Sequence, residues 1–455
     1  MQMKVGACLL CLMLLVPRAV HAAEEAAAET VTIQGKTYTV VSDDEFRALG
    51  FDVPDVTPEE NAAYDYIEAI NSYVAPDAEQ EDLRDTVLQG TWTEEAGPLA
   101  DYIERNARTV ELLKAAATKD VCHFPVLVSL GSSIEERSPL GIMLPQLAPM
   151  RELARFLVAE GKAYEFEARY EEALDTYLLA LRLGNHMAQG PTLIGGLVGL
   201  ACNQIGARAI EQWLVRNEID DETLLNAQKR LATLAEGRPS VMTSMRGERA
   251  WSTSIMEYMM EHPAVLDDFI EGGTDLGAIR STALTAMFMS DEGRAQVRAD
   301  AKAFWDATEA AMAMPLRAFI ETGAGDEPVR KAHARKFPPN IMGLLGPAPG
   351  GARLAFARNA VAWTVLDVEF ALARHKAKHG AYPETLDEVK DLMLSDGIDP
   401  YSGERLKYRL EDDGAFTIWS VGKDLKDGGG KVETKHDPWR GGDYVWNSRV
   451  LAGTK

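Results

Sequence analysis

Cysteine is scarce: the 455 residues contain four, and two of these, Cys8 and Cys11, fall in an N-terminal apolar stretch. A chain of this length is therefore no disulfide-stapled scaffold and depends on buried apolar surface. Basic charge is short as well, with 47 Lys plus Arg against 70 Asp plus Glu and a net charge of -23. Such a surface repels phosphate backbones and anionic headgroups, which excludes nucleic acid as an expected partner. Catalytic signatures are also missing: there is no Gly-x-Ser-x-Gly and no Gly-x-x-x-x-Gly-Lys-Ser/Thr, so acyl and phosphoryl transfer have no motif support. After the first 22 residues no run of 18 uncharged apolar residues occurs; the best candidate, 191–210, carries Asn203, Gln204 and Arg208 and suits a buried helix better than a membrane span. What is present is ordinary for a folded body, 46% apolar and 26% charged residues, and the length favours more than one domain.

Residues 1–22 read as an export signal. Lys4 precedes the apolar stretch Val5 to Val16, and Val20-His21-Ala22 supplies small residues where a signal peptidase cuts. The apolar core is about a dozen residues, whereas about 20 are needed to cross a bilayer. A periplasmic or secreted chain with no transmembrane segment after signal removal is expected. There Cys122 and Cys202 remain, and their spacing leaves open whether they pair.

Residues 23–56 form an N-terminal segment in which Val31 to Val41 flanks Gln34-Gly35 with β-formers, a local hairpin. Residues 57–336 form an α-helical domain. Thr57-Pro58-Glu59-Glu60 is a capping-box signature predicting a helix from about 58 through Tyr73. Apolar periodicity predicts further helices near 95–118, 146–184, 191–216, 221–235, 245–260 and 293–322. Within them, Leu157, Gly161, Tyr164, Ala168, Tyr170, Ala173, Tyr177 and Ala180 follow a repeat-like spacing. Over 154–187 this resembles a tetratricopeptide helical hairpin, in which small residues let two helices approach and Tyr164 and Tyr177 fill the gaps. Residues 337–351, with four prolines and four glycines, read as a linker.

From Ala352 a separate module, 352–455, is expected. Leu354, Val361, Val365, Val368 and Leu372 recur at helical steps, and Trp363, Leu366 and Phe370 widen the stripe, predicting one long helix that ends at Gly380. Thr385-Leu-Asp-Glu388 is a second capping box. The runs 406–410 and 416–420 alternate around Glu411 to Gly414 as a hairpin, and 443–446 supplies a third strand. Taken in order, Ala371 to Pro383, Asp399-Pro-Tyr-Ser-Gly403, Tyr408, Phe416 to Ser420, Gly422, Asp424 and Asp443-Tyr-Val resemble the soluble head of the type II secretion major pseudopilin, over about residues 353–450. Arg353 is preceded by neither a peptidase site nor Phe-Thr-Leu-Ile-Glu, so the resemblance implies the head alone. The fold class expected is thus a mainly α, repeat-like N-terminal helical domain plus a C-terminal α+β pseudopilin-like domain, a long helix on a small antiparallel sheet. The order of the two resembles large exported envelope proteins of bacteria.

The pseudopilin resemblance implies calcium in the last loop, with Asp424 and Asp443 at family positions. Asp427, on the glycine-rich turn between them, offers a further carboxylate to a cation that wants six to eight oxygens. His375 and His379 stand four apart on a helix but lack the Glu of a His-Glu-x-x-His site. Cys122-His123 reads as a loop entering Phe124-Pro125. No catalytic residue stands out. The expected function is that of a non-enzymatic envelope protein, a helical scaffold whose head binds a protein partner in the envelope or secretion machinery. The alternative is a hydrolase-type enzyme with its site in the helical domain.

Overall fold

The computed structural model describes residues 29–130, 139–238, 240–266, 275–335, 338–431 and 442–453, with side chains undescribed over 275–281. The expected export signal and most of the segment between Lys431 and Gly442 lie outside them. Over the described residues the chain is mostly helical, with two small antiparallel sheets of three strands each.

The first sheet begins as the predicted hairpin, β1 (Thr30–Ile33) and β2 (Lys36–Val41). Gln34 and Gly35 both adopt positive φ, 50° and 74°, the backbone that a two-residue hairpin turn demands. The hairpin is not a local feature, however. Strand β3 (Val126–Ser129) pairs antiparallel with β2, Tyr38 opposite Ser129 and Val41 opposite Val126. A four-residue apolar strand after a proline carries too little alternation to be read alone.

Helix α1 (Asp43–Ala48) starts at a capping box formed by Ser42 and Glu45. Helix α2 (Ala62–Ser72) starts four residues later than expected. Thr57 instead turns onto the Glu60 carboxylate with its hydroxyl and its N–H. The true N-cap is Asn61, whose Oδ1 accepts the amide of Ala63. Helices α3 (Ala78–Gln89), α4 (Pro98–Arg105) and α5 (Ala107–Ala117) follow. The expected stretch 95–118 is broken at buried Asn106, whose side chain bonds the backbone of Val74 and Tyr102.

Helices α6 (Leu147–Phe166) and α7 (Tyr170–Met187) make a helical hairpin. A Cβ at Gly161 would stand 2.2 Å from the ring of Tyr177, so the glycine is what admits that ring. Ala168 lies in the connecting turn at φ 57° rather than between the helices. Helix α8 (Leu193–Arg216) packs on α7 through Gly184, Gly199 and Gly206, and Asn203 donates from its side chain to the carbonyl of Leu181. Among the described residues α8 alone is long and apolar enough to cross a membrane, and more than half of its most apolar window is buried within the protein. Helix α9 (Asp221–Glu236) completes this layer. A second cluster gathers α10 (Val241–Glu261), α11 (Asp275–Phe288), α12 (Asp291–Ala313), α13 (Leu316–Thr322), α14 (Glu327–Ala334) and α15 (Met342–Leu345) around Trp305, Phe288 and Met260.

Helix α16 (Pro349–His379) takes in the last residues of the expected linker, with Pro349 in its first turn, and stops at Gly380 in the left-handed conformation, φ 81°. Its single expected stripe is in fact two faces. Val361, Val365, Val368 and Leu372 pack on the second sheet, β4 (Lys407–Leu410), β5 (Phe416–Ser420) and β6 (Tyr444–Asn447), through Tyr401, Leu406, Phe416, Ile418 and Trp446. Trp363, Leu366, Phe370 and Ala373 pack the opposite way, on Trp213, Leu214, Leu224 and Leu231 of α8 and α9. Residues 352–455 are therefore not packed independently of the body. The predicted box of Thr385 and Glu388 forms, closing a single 3₁₀ turn over Leu386–Val389. The last helix, α17 (Ser448–Ala452), returns to α8, where Arg216 donates to the carbonyl of Leu451.

A methyl group at Gly199 would lie 2.5 Å from the Gly184 carbonyl oxygen and 2.7 Å from the Ala188 Cβ. Gly199→Ala is expected to separate α7 from α8 and to cost about 2 kcal/mol, the scale of overpacking in a closed core. A urea midpoint equal to that of the parent chain would contradict this packing.

Candidate functional site

A cleft of about 700 Å³ opens where α10 faces the end of α1 and two loops. On α10, Thr243, Arg246, Gly247, Ala250 and Thr253 fall at steps of three and four, so one helical face forms a wall. Leu49, Gly50, Asp52 and Pro54 form the opposite side. Val121, Cys122 and His123 come from the loop between α5 and β3, and Gln189 and Pro191 from the turn between α7 and α8. Gly247 permits the closest approach: a Cβ there would fall 1.6 Å from the Pro191 carbonyl oxygen.

The polar groups of this cleft are held from behind. Buried Asn61 accepts the His123 amide at 2.9 Å and donates to the His123 carbonyl at 2.8 Å. Gln189 accepts the Cys122 amide at 2.8 Å and donates to the Asp120 carbonyl at 2.9 Å. The Ser254 hydroxyl donates to the Leu49 carbonyl at 3.0 Å, tying α10 to the end of α1. The His123 ring is 6% exposed, and its Nε2 has no hydrogen-bond partner. Its nearest carboxylate oxygen, on Asp43, stands 3.9 Å away. Burial lowers the His123 pKa, Asp43 opposes this and Arg47 adds to it, so the ring is neutral near pH 7. Burial pushes the Cys122 thiol far up, with Arg182 only partly offsetting. It remains a thiol at neutral pH, and the adjacent histidine does not make it a nucleophile. Cys202 is likewise buried, and both cysteines are free.

The carboxylates implied for calcium are placed differently. Asp443 accepts the amides of Gly428 and Gly430 with its two oxygens, at 3.0 and 2.8 Å. Asp427 accepts the Trp419 indole N–H and the Gly429 amide, both at 2.9 Å. These bonds hold its pKa below the usual aspartate range. Asp424 accepts the Lys426 amide at 3.1 Å and lies against Gly442. The three fold the loop by accepting N–H groups, and as arranged they do not converge as a ligand set; among the described residues no group of three His, Cys, Asp or Glu is spaced to hold a metal ion. The His375 and His379 rings lie 4.4 Å apart, tilted by 37°, on the end of α16, with His375 Nδ1 3.0 Å from the Ala381 carbonyl. Ser420-Val-Gly-Lys423 has the Ser-x-x-Lys spacing, yet the Ser420 hydroxyl is buried on Asp399 at 2.8 Å while Lys423 is exposed.

A second polar constellation, invisible as a motif, lies in the seam between α16 and the helical body. Asp367 accepts the Gln228 amide at 2.7 Å and the amide and hydroxyl of Ser395 at 2.8 and 2.6 Å. Arg374 reaches Asp221 at 2.8 Å and Gln228 at 3.1 Å. Those charges are satisfied. Glu369 is not: it is 1% exposed and neither carboxyl oxygen has a partner. Neighbouring Glu211 accepts the Trp446 indole N–H at 2.9 Å and faces Arg208 at 3.2 Å. Burial pushes the Glu369 carboxyl well above the ordinary range, Glu211 adds to it, and Arg208 opposes it. Burial raises Glu211 too. The sequence signal was a glutamate inside the apolar run Val365 to Leu372.

Compared with protein-family models, with curated proteins and with solved structures, the chain matches none. The cleft and the seam therefore stand on their own chemistry.

A carboxyl group whose folded-state pKa is raised stabilises the fold fully below its unfolded value, near 4.5 here, and loses that contribution as pH climbs toward the folded value. The limiting slope is about 1.4 kcal/mol per pH unit for each proton retained. Glu369→Gln cannot ionise, so chemical denaturation between pH 5 and 7 should show parent stability falling more steeply than that of the variant. Parallel pH profiles would contradict a protonated Glu369.

Proposed function

We propose that the protein is a non-enzymatic, exported binding protein that holds its ligand in the cleft between α10 and the Cys122-His123 loop. The observation that carries this reading is the pairing of fixed hydrogen-bonding groups with an unreactive thiol. Asn61 and Gln189 set the loop backbone in place, and buried Cys122 stays protonated. Preorganised polar groups in a partly apolar concavity are what recognition needs, while covalent catalysis needs an activated nucleophile. The pseudopilin-like head and the repeat-like hairpin belong to the same proposal, as the elements that dock the protein to a partner in the cell envelope or secretion machinery. Calcium in the loop from Asp424 to Asp443 also remains a proposal; it requires Asp443 to exchange the amides of Gly428 and Gly430 for the ion.

A hydrolase-type enzyme is the second reading, favoured by the approach of Asp43 to His123 at 3.9 Å, a pairing that can orient a general base.

Thr243 is exposed on the cleft wall, so Thr243→Trp fills the space without entering the core. Protein purified from an envelope fraction and examined by native mass spectrometry should carry a bound species that the folded Thr243→Trp chain lacks. Equal recovery by both would contradict the binding site. Turnover of a hydrolase substrate that His123→Gln abolishes would replace it with the enzymatic reading.

A further inference from the structure

The cleft has a chemical bias that its shape alone does not give. In a chain with an excess of 23 negative charges, the wall on α10 presents two arginines against one acid, Asp52. Arg249 is already engaged, 2.6 Å from Glu309. Arg246 is exposed at the cleft and has no ion pair or hydrogen bond to any described residue. The remaining lining is largely apolar, with Leu49, Pro54, Val121, Pro191 and Ala250. An exposed, unpaired guanidinium attracts an anion, and apolar walls favour a hydrophobic body.

We infer that the cleft binds a small amphiphilic organic anion, its acidic group at Arg246 and its apolar part against Leu49, Pro191 and Ala250. This inference rests on the binding reading above and adds the class of ligand. The volume lies within the ~300–1,000 Å³ typical of sites for drug-sized molecules. A cation has no comparable site in the cleft, where Asp52 is the sole carboxylate among the lining residues. A polyanion would meet the acidic surface beyond the rim and is disfavoured on approach.

Two fluorescent probes of similar size separate the possibilities on the full chain: the anion 1-anilinonaphthalene-8-sulfonate and the neutral N-phenyl-1-naphthylamine. The sulfonate should bind saturably at one site per chain. Arg246→Gln should weaken it about tenfold, the weight of one charge-assisted hydrogen bond, Arg246→Lys should restore most of the affinity, and the neutral probe should change less than twofold. Thr243→Trp should remove both, with circular dichroism and melting confirming that each variant is folded. Sulfonate binding that ignores Arg246 while Thr243→Trp still blocks it overturns the anionic class and leaves the cleft as a binding site. Absence of saturable binding by either probe, or binding that Thr243→Trp does not affect, overturns both.

Discussion

Burial of one helix on two sides is the constraint from which the architecture follows. Along α16, residues 361, 365, 368 and 372 face the second sheet, while 363, 366, 370 and 373 face α8 and α9. A helix with one apolar stripe can lie on a surface, but a helix apolar on two faces has to be enclosed. Its ends are fixed by the same economy. At the start, Arg353 donates to the carbonyls of Ala311 and Met312 at the end of α12. At the finish, Gly380 takes the left-handed turn that releases the chain toward the sheet. The head and the body are two coats on a common core rather than beads on a linker.

Enclosure determines which charges the seam tolerates. Asp367 and Arg374 both hydrogen-bond Gln228 and have further polar partners, so their burial is compensated. Glu369 has no such compensation, and burial pushes its carboxyl well above the ordinary range. Glu211, close by, is the one of the two that accepts the Trp446 indole and faces Arg208. The seam therefore carries a carboxyl group whose ionisation would work against the contact between head and body.

Much of this was legible because it is local. The periodicity of α8, α9 and α16, the stop at Gly380, the Thr385–Glu388 box and the Gln34-Gly35 turn depend on residues within a few positions of one another. What escaped depends on distant partners. Asn61 outcompetes Thr57 as N-cap because Asn61 also holds the His123 backbone, 62 residues away. Strand β3 exists because β2 offers it an edge. Trp363, Leu366 and Phe370 read as the margin of one stripe because only the position of α8 and α9 separates them into a second face. The cleft was least visible of all. His123 reads as part of a loop, and it lines the cleft only because α10, more than a hundred residues later, faces that loop. The partners of the loop acids Asp424, Asp427 and Asp443, backbone amides and the Trp419 indole, are set by the folded loop and could not be read beforehand.

The dependence of the head on the body is open to direct measurement. Expressed alone, residues 352–455 would expose Trp363, Leu366 and Phe370 to water and leave Glu369 without its enclosure. A ¹H–¹⁵N NMR spectrum of that fragment should be collapsed and poorly dispersed, and should sharpen only when the helical body is supplied in the same chain. A dispersed, fully native spectrum from the isolated fragment would contradict the shared helix.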